Sequence, residues 1–283
     1  MLTSLAGQTR QPEEIIVVDE DESSCALGGE FPALNLRVVV LPGSASAKRN
    51  AGLRAALPEM TLIGFMDDDI LLEPKTIETL VCFWDGASQE LGATGCRLVN
   101  YPSLDAWGLK TLRLTSRLGL YDSRKGVVLR SGIHTMMPDI SEDTYVRWLS
   151  SMSAVFRRRV LEEFAFDEWF QDYSYLEDLD FSYRIGKKYK LVVVAGARIY
   201  HYPSEVGRPS AYLFGKKEVL NRLYFVSKHP ELSLPLCCLA LCIRAFMSVF
   251  VGITRFEADY FRRVAGNFRG FIAACARRPK STS

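Results

Sequence analysis

Short apolar runs alternate with helical patterns along most of the chain. A continuous apolar run is typical of a strand that is buried on both faces of a parallel sheet. Strands that alternate with helices through short connections predict an α/β fold. The runs that predict strands are 14–19, 37–41, 62–66, 92–99 and 191–195, and the patterns that predict helices are 47–57, 75–83, 154–164 and 176–188.

The last part of the chain, 206–283, has a helical pattern that is apolar in its centre and basic at its end. The stretch 232–253 is long enough, at about 1.5 Å per residue, to cross about 30 Å of hydrocarbon. Arg244 near its middle and Pro235 near its start disfavour a continuous span. The bases that follow favour contact between 232–280 and an anionic membrane surface. Three alternatives stay open: an interfacial or re-entrant helix, a membrane span, and a buried core or dimer helix.

Composition and charge narrow the class of protein. The 283 residues are 48% hydrophobic and 24% charged, which excludes a disordered or coiled-coil chain. With 35 Lys and Arg against 33 Asp and Glu, the net charge of +2 argues against a nucleic-acid partner. The seven cysteines are scattered, with no C-x-x-C pair, and the three histidines are far apart. We therefore expect free, buried thiols and a cytoplasmic setting.

Carboxylates follow two of the predicted strands directly. Asp19 and Glu20 end the first run, and Asp67, Asp68 and Asp69 follow the third. In open α/β sheets, ligands bind outside the carboxyl ends of the strands. The spacing of Asp67 and Asp69 suits a divalent ion whose other ligands are water and phosphate oxygens. The alternative is a turn with helix-capping aspartates.

Other polar residues lie at helix starts or after a strand. Glu177 and Asp178 begin a helix, where the dipole alone would favour carboxylates. Arg49 and Asn50 open the helix 47–57, where cations oppose the dipole and an anion must compensate, either a phosphate or the nearby acids. His201 follows the last predicted strand; a lone histidine is more often packed or exposed than a ligand.

Together these segments resemble the family 2 glycosyltransferases, which are inverting enzymes with the GT-A fold. The matching segments are IIVVDE, AKRNAGLRAAL, GFMDDDILLEP, LEDLDFSYRI and GARIYHYPS. The resemblance implies a Rossmann-like, mainly parallel sheet flanked by helices over 1–205, with a nucleotide-sugar half (1–99) and an acceptor half (100–205), followed by the helical tail 206–283. The family usually has a further strand before the first segment. It also usually has Asp where Glu20 stands and Gly where Ser151 stands.

The resemblance also implies roles for the candidate residues. Asp178 would be the catalytic base, with Glu177 beside it in the catalytic motif. A divalent metal, Mn or Mg, would be held by Asp69 with Asp67 and His201. The residues implied to bind the nucleotide sugar are Asp19, Glu20, Arg49, Asn50, Asp67 and Asp68.

The expected activity is metal-dependent, inverting sugar transfer to a hydroxyl of a glycan or lipid-linked acceptor, in the assembly of a cell-surface polysaccharide or glycolipid. The expected location is the cytoplasm, with attachment to the cytoplasmic face of the membrane as an option. Two alternatives stay open. A nucleotidyltransferase would carry a glycine- and lysine-rich loop, which is not seen. A non-catalytic protein of the same shape would bind without reacting.

Overall fold

Two units make up the described part of the chain. The computed structural model describes residues 1–101, 117, 119–138, 140–203 and 209–276. The first unit contains 1–101, 125–127, 136–138 and 140–203, and the second contains the other described residues. The second unit thus includes parts of 105–135, which the sequence analysis assigned to the acceptor half. Residues 102–116, 118, 139, 204–208 and 277–283 of the predicted acceptor half and tail lie outside the described residues.

Most predicted elements are confirmed within a few residues. The described strands are β1 (Ile15–Asp19), β2 (Leu36–Val40), β3 (Leu62–Met66), β4 (Ile70–Leu72), β5 (Leu91–Leu98), β6 (Thr144–Val146), β7 (Ser153–Arg157) and β8 (Lys190–His201). The described helices are α1 (Leu2–Ala6), α2 (Leu27–Glu30), α3 (Ala45–Ala55), α4 (Thr76–Asp85), α5 (Arg158–Glu163), α6 (Glu177–Gly186), α7 (Ala211–Ser227), α8 (Leu234–Arg255) and α9 (Ala258–Ala276). A short 3-10 helix precedes α2.

A six-stranded sheet forms the centre of the first unit. Its order is β3-β7-β5-β8-β4, and β6 also pairs with β8. Only the pairing of β5 with β8 is parallel among the described strands of this sheet. The predicted mainly parallel pairing is therefore wrong, because the sheet is mixed. A second sheet pairs β1 with β2 in parallel.

The strand β7 is the main departure from the predicted elements. The sequence predicts one helix over 154–164, whereas β7 occupies its first half and α5 begins only at Arg158. Strand β7 lies between β3 and β5 and is antiparallel to both. Ala154 and Phe156 are 0% exposed there, so packing within the sheet overrides the helical pattern.

Strands β1 and β3 each have one partner among the described strands, β2 and β7 respectively. A cavity of about 600 Å³ lies along both strands, and every residue of β1 and β3 lines it. Val155 of β7 and Trp84 of α4 line it as well.

The second unit is held together by close helix packing and a buried ion-pair cluster. Gly215 of α7 and Gly266 of α9 lie where the two backbones meet: a Cβ at Gly266 would lie 2.0 Å from the carbonyl oxygen of Tyr212. Glu218 of α7 is 2% exposed and accepts hydrogen bonds from Nη2 of Arg263 of α9 at 2.8 Å and from Nε of Arg244 of α8 at 3.1 Å. Burial acts in the opposite direction, but the two guanidinium groups lower the pKa of Glu218 to about 2.

All seven cysteines are free. Cys96 and Cys237 are buried, as expected, and Cys238 is half-buried. The expectation of buried thiols is wrong for the remaining four, which are exposed: Cys25, Cys82, Cys242 and Cys275. Two of these, Cys242 and Cys275, lie on α8 and α9.

We expect Gly266→Ala to destabilise the second unit by about 1–3 kcal/mol, because the added methyl meets backbone rather than a flexible side chain. The measurement is hydrogen exchange of peptides from α7 and α9. Gly86→Ala is the matched control, because a Cβ there meets nothing within 4 Å. Equal exchange rates in the two variants would contradict close packing of α7 and α9.

Candidate active site

Arg49 joins three parts of the first unit through its guanidinium group. From α3, Nη2 donates to Oδ1 of Asp67 at 2.9 Å, and Nη1 donates to Oε1 of Glu177 at 2.6 Å. The guanidinium also lies over the ring of Phe166, 5.5 Å from its centroid. The positive charge at this helix start needs a compensating anion, and acids of the protein itself supply it.

The ends of β1 and β3 lie on the same side of the first unit. Nζ of Lys48 lies 3.6 Å from Oε2 of Glu20, the residue after β1. The next residue of α3, Arg49, pairs with Asp67, the residue after β3. The carboxylates predicted at two strand ends are thus brought together by one turn of α3. The cavity along β1 and β3 is lined at this end by charged residues: Asp19, Lys48, Arg49, Asp67, Asp68 and Asp69.

Glu177 and Asp178 begin α6 and have different surroundings. Glu177 is buried against Arg49, whereas Asp178 is half-buried. Oδ1 of Asp178 accepts a hydrogen bond from the backbone N–H of Leu179 at 2.7 Å, and the side chain of Ser150 also bonds to it. Burial, and then the charge of Asp178, raises the pKa of Glu177 to about 7. Burial also raises the pKa of Asp178.

The residue before this pair has a left-handed backbone. Leu176 has φ 77° and ψ 8° at the N-cap of α6. A left-handed conformation costs a residue with a Cβ about 1–2 kcal/mol. The Leu176 side chain is buried, and its burial offsets this strain. The turn thereby fixes the direction in which α6 presents Glu177 and Asp178.

Asp69 and His201 are brought together by the pairing of β4 with β8. The residue after Asp69, Ile70, pairs with His201, and Nε2 of His201 lies 3.1 Å from Oδ2 of Asp69. The other oxygen, Oδ1 of Asp69, is buried and accepts no hydrogen bond from any residue that the structure describes. Asp67, the third predicted metal ligand, is engaged by Arg49 instead.

A divalent metal fits the Asp69–His201 pair. Mg²⁺ and similar ions bind through one or two carboxylates plus substrate phosphates, and imidazole is an accepted ligand of transition metals. The buried oxygen of Asp69 that has no described partner is free to act as a ligand. Within the described residues no group of three or more His, Cys, Asp or Glu side chains is placed to hold an ion alone. The remaining ligands would therefore come from substrate and water.

Asp19 and Asn50 are engaged in contacts within the protein. Asp19 accepts hydrogen bonds from the Ser24 hydroxyl and the Glu20 backbone N–H, and these bonds lower its pKa. Asn50 is buried and exchanges two 3.0 Å hydrogen bonds with the backbone of Phe166. Asn50 thus holds Phe166 against Arg49. The Glu20 side chain is largely exposed and meets Lys48.

Sequence reasoning missed several residues of this site. Ser150 bonds to Asp178 from a loop and Ser24 bonds to Asp19 from the short 3-10 helix, and no spacing in the sequence marks either serine. Phe166 contacts both Arg49 and Phe181 of α6, with the two rings stacked at 3.8 Å between centroids. An apolar residue followed by Asp and Glu in a loop gives no signal of such a contact. Ser151, where the family usually has Gly, is buried, and its hydroxyl has no described partner.

The chain has the GT-A fold, which it shares with solved glycosyltransferases. The chain is similar to TarS of S. aureus (TM-score 0.50, 18% identity, 81% of this chain and 39% of that one). It is similar to the mannosyltransferase PcManGT of Pyrobaculum calidifontis (0.51, 14%, 100% and 83%) and to GalNAc-T7 (0.52, 14%, 78% and 46%). These likenesses confirm the predicted GT-A fold, although its sheet is mixed and not mainly parallel.

The chain belongs to glycosyl transferase family 2, whose model matches residues 1–164. The predicted family resemblance is therefore confirmed. The chain spans less than half the length of TarS and of GalNAc-T7. A search of curated protein sequences returned no significant match.

We expect the free energy of unfolding to fall as pH rises from 5 to 8, and Glu177→Gln to reduce that fall by about 2 kcal/mol. The pKa of Glu177 is about 7 in the folded protein against an ordinary 4.5, so the folded state keeps a proton that the unfolded chain releases. Its stabilising contribution is complete below pH 4.5 and is lost as pH rises through 7. Denaturant unfolding at a series of pH values measures this.

Glu162→Gln is the matched control, because it makes the same chemical change at an exposed position of α5. Its pH dependence should equal that of the unmodified protein. If the Glu177→Gln curve also ran parallel to that of the unmodified protein, Glu177 would ionise normally and the account of its burial would be wrong.

Proposed function

We propose that this protein is a metal-dependent, inverting glycosyltransferase that moves a sugar from a nucleotide-sugar donor to a hydroxyl acceptor. The observation that carries the proposal is the Arg49 cluster: one guanidinium group joins Asp67 at the end of β3 to Glu177, beside Asp178, at the start of α6. In a family 2 chain with the GT-A fold, this arrangement links the expected donor side to the expected catalytic base.

Two of the similar structures support a nucleotide-sugar donor and a divalent metal. PcManGT was solved in complex with GDP-Man and Mn²⁺, and GalNAc-T7 with UDP, GalNAc and Mn²⁺. We infer the same class of donor here, since acids and bases line the strand-end part of the cavity. The exposed carboxylates of Glu20 and Asp68 can accept hydrogen bonds from base or sugar, and Asp19 is held in place by Ser24.

Asp178 acts as the general base in this proposal. The acceptor oxygen attacks the anomeric carbon while the bond from that carbon to the diphosphate oxygen breaks. The bonding electrons leave with the nucleoside diphosphate, and the acceptor proton passes to Asp178. A single displacement from the opposite face inverts the anomeric centre. The raised pKa of Asp178 makes it a stronger base, and the Leu179 N–H and Ser150 fix its side chain.

Arg49 and Asn50 act as positioning residues rather than as direct nucleotide ligands. Both terminal nitrogens of Arg49 are occupied by carboxylates, and the Asn50 amide by the backbone of Phe166. Glu177 is likewise buried against Arg49, so it positions Asp178 without touching the acceptor. Of the two predicted catalytic acids, Asp178 is thus the base and Glu177 a positioning residue.

Asp69 and His201 would hold the divalent metal, Mn or Mg, with Asp67 nearby on the same turn. When bound, the metal would offset the charge that develops on the leaving diphosphate. Asp69 supplies a buried oxygen without a described partner, and Nε2 of His201 lies 3.1 Å from the opposite oxygen, a separation that two ligands of one ion can have.

The acceptor in this proposal is a glycan or a lipid-linked sugar, and the cellular process is assembly of a surface polysaccharide or glycolipid. The support is the family resemblance together with an apolar helix, α8, that is long enough to interact with a membrane. The corresponding location is the cytoplasmic face of the membrane. No nucleic-acid partner is proposed, because the charge is balanced.

We expect Asp178→Asn to lower sugar transfer by about 10²–10⁴-fold, because the amide cannot accept the acceptor proton. Nucleoside diphosphate binding should be unchanged. The assay follows Mn²⁺-dependent release of nucleoside diphosphate from a panel of nucleotide sugars, and titration calorimetry follows nucleotide binding. Asp85→Asn, an exposed position at the end of α4, is the matched control and should retain full activity. Activity of Asp178→Asn close to that of the control would exclude Asp178 as the base.

The same assay separates the alternatives. Release of pyrophosphate from a nucleoside triphosphate would indicate a nucleotidyltransferase, and no release from any substrate would indicate a non-catalytic protein.

We expect Asp69→Asn to weaken Mn²⁺ binding in the presence of nucleoside diphosphate, while the exposed neighbour Asp68→Asn keeps it. Electron paramagnetic resonance of Mn²⁺ measures binding without requiring turnover. Equal Mn²⁺ affinity in the two variants would contradict the assignment of Asp69 as the ligand.

A further inference from the structure

Two exposed apolar stripes run along the last two helices of the second unit. Residues spaced three or four apart share one face of a helix. The α8 stripe consists of Pro235, Leu239, Cys242, Phe246, Phe250 and Ile253, and the α9 stripe consists of Phe261, Ala265, Phe268, Ile272 and Cys275. Phe246 is 72% exposed and Phe268 is 67% exposed. A contiguous exposed surface of this composition marks a contact with another apolar phase or partner.

The two stripes lie side by side, away from α7. Gly266 and Gly270 of α9 pack against α7, and they lie on the side of α9 opposite the α9 stripe. The end of α8 packs on the start of α9: a Cβ at Gly252 would lie 3.0 Å from the ring of Phe261 and 3.1 Å from Cβ of Tyr260. Only Phe256 and Glu257 separate the two helices, so the chain reverses there and the helices run antiparallel. Phe261 of the α9 stripe thus lies against the neighbour of Ile253, and the two stripes adjoin.

Basic side chains border the stripes. Arg262 and Arg269 are exposed and directly follow two aromatic members of the α9 stripe. Arg255 ends α8 beside Phe256, which is 94% exposed at a left-handed turn. Two exposed acids, Glu257 and Asp259, lie near this turn, and Asp259 pairs with Arg262 at 2.8 Å. With three arginines against two acids, the described border has a net charge of +1. The predicted contributors Arg277, Arg278 and Lys280 lie outside the described residues.

Arg244 does not interrupt the α8 stripe. It lies on the opposite side of α8, where it pairs with the buried Glu218 together with Arg263 of α9. Helix α8 has the length and the mean hydropathy, 2.3, of a candidate membrane span among the described residues. A span would carry the Glu218 ion pairs and the polar helices α7 and α9 into hydrocarbon, which is costly. The ion pairs therefore favour a helix pair that lies along a surface over one that crosses it.

We propose that the adjoining stripes of α8 and α9 dock the protein onto an anionic lipid bilayer, with both helix axes parallel to the membrane surface. The apolar side chains enter the boundary between headgroups and acyl chains, and the bordering arginines meet anionic headgroups. The argument uses only the second unit, so it stands whether or not the proposed sugar transfer occurs. It selects the interfacial helix from the three alternatives that the sequence left open.

The first test is co-sedimentation with phosphatidylcholine vesicles that contain or lack phosphatidylglycerol. We expect binding to the anionic vesicles, and a loss of about tenfold or more in the double variant F246D/F268D. Tyr145→Asp is the matched control: Tyr145 is an equally exposed aromatic residue, at 69%, in the first unit. Circular dichroism establishes that each variant is folded. Absence of binding, or equal loss in the control, would overturn the proposal.

The native cysteines supply the second test. A membrane-impermeant maleimide, with mass spectrometry of the labelled peptides, reports the exposure of each thiol. Anionic vesicles should protect Cys242 and Cys275, which lie on the stripes, but not the exposed Cys25 and Cys82 of the first unit. Unchanged labelling of Cys242 and Cys275 would overturn the proposal.

Two further outcomes would replace the proposal with another. If Cys242 and Cys275 became protected without vesicles as protein concentration rose, the stripes would be a contact between two copies of the chain. If the protein stayed with the vesicles after extraction with alkaline carbonate, α8 would span the bilayer. Release by carbonate is the result expected for helices lying on the surface.

Discussion

The buried guanidinium group of Arg49 is the constraint on which the first unit depends. A cation removed from water must be paired, and leaving one partner buried without the other costs several kcal/mol. Arg49 meets this requirement with Asp67, which follows β3, and Glu177, which begins α6. The strand end of β3, the start of α3 and the start of α6 are therefore held in one arrangement. Asn50 and Phe166 reinforce it, since the Phe166 ring lies over the guanidinium and its backbone is bonded to Asn50.

Each unit contains a buried cluster of arginine and carboxylate side chains. Acids outnumber arginines in the first cluster, and arginines outnumber acids in the second. In the first unit one arginine serves Asp67 and Glu177, with Asp178 close by, and the pKa of Glu177 is raised. In the second unit Glu218 is shared by Arg244 and Arg263, and its pKa is lowered to about 2. The excess of acids makes the first cluster able to gain a proton near neutral pH. The excess of bases makes the second a fixed structural link between helices, with no titration in that range.

Local patterns in the sequence predict the strand-end part of the site well. The apolar run of β3 is predicted with its observed bounds, and the acids after it belong to a turn that any α/β sheet would place at its carboxyl edge. Two kinds of feature could not be predicted. Strand β7 has a helical pattern, and only its two sheet neighbours make it a strand. The contacts of Asn50 with Phe166 and of Arg244 with Glu218 join distant residues whose pairing no spacing encodes. In the sequence, Arg244 therefore disfavours a continuous apolar helix. In the structure it links α8 to α7 through Glu218.

The left-handed backbone at Leu176 limits which amino acids can occupy position 176. Two requirements meet at that position: a side chain large enough to fill the buried space, and a backbone that tolerates positive φ. β-Branched residues fail the second, and glycine, which satisfies it, leaves the space empty and makes the turn more flexible. Position 176 is therefore narrowly restricted although it does not need to contact any substrate. Replacements there would alter where α6 begins, and with it the aim of its first two carboxylates, without removing a reacting group.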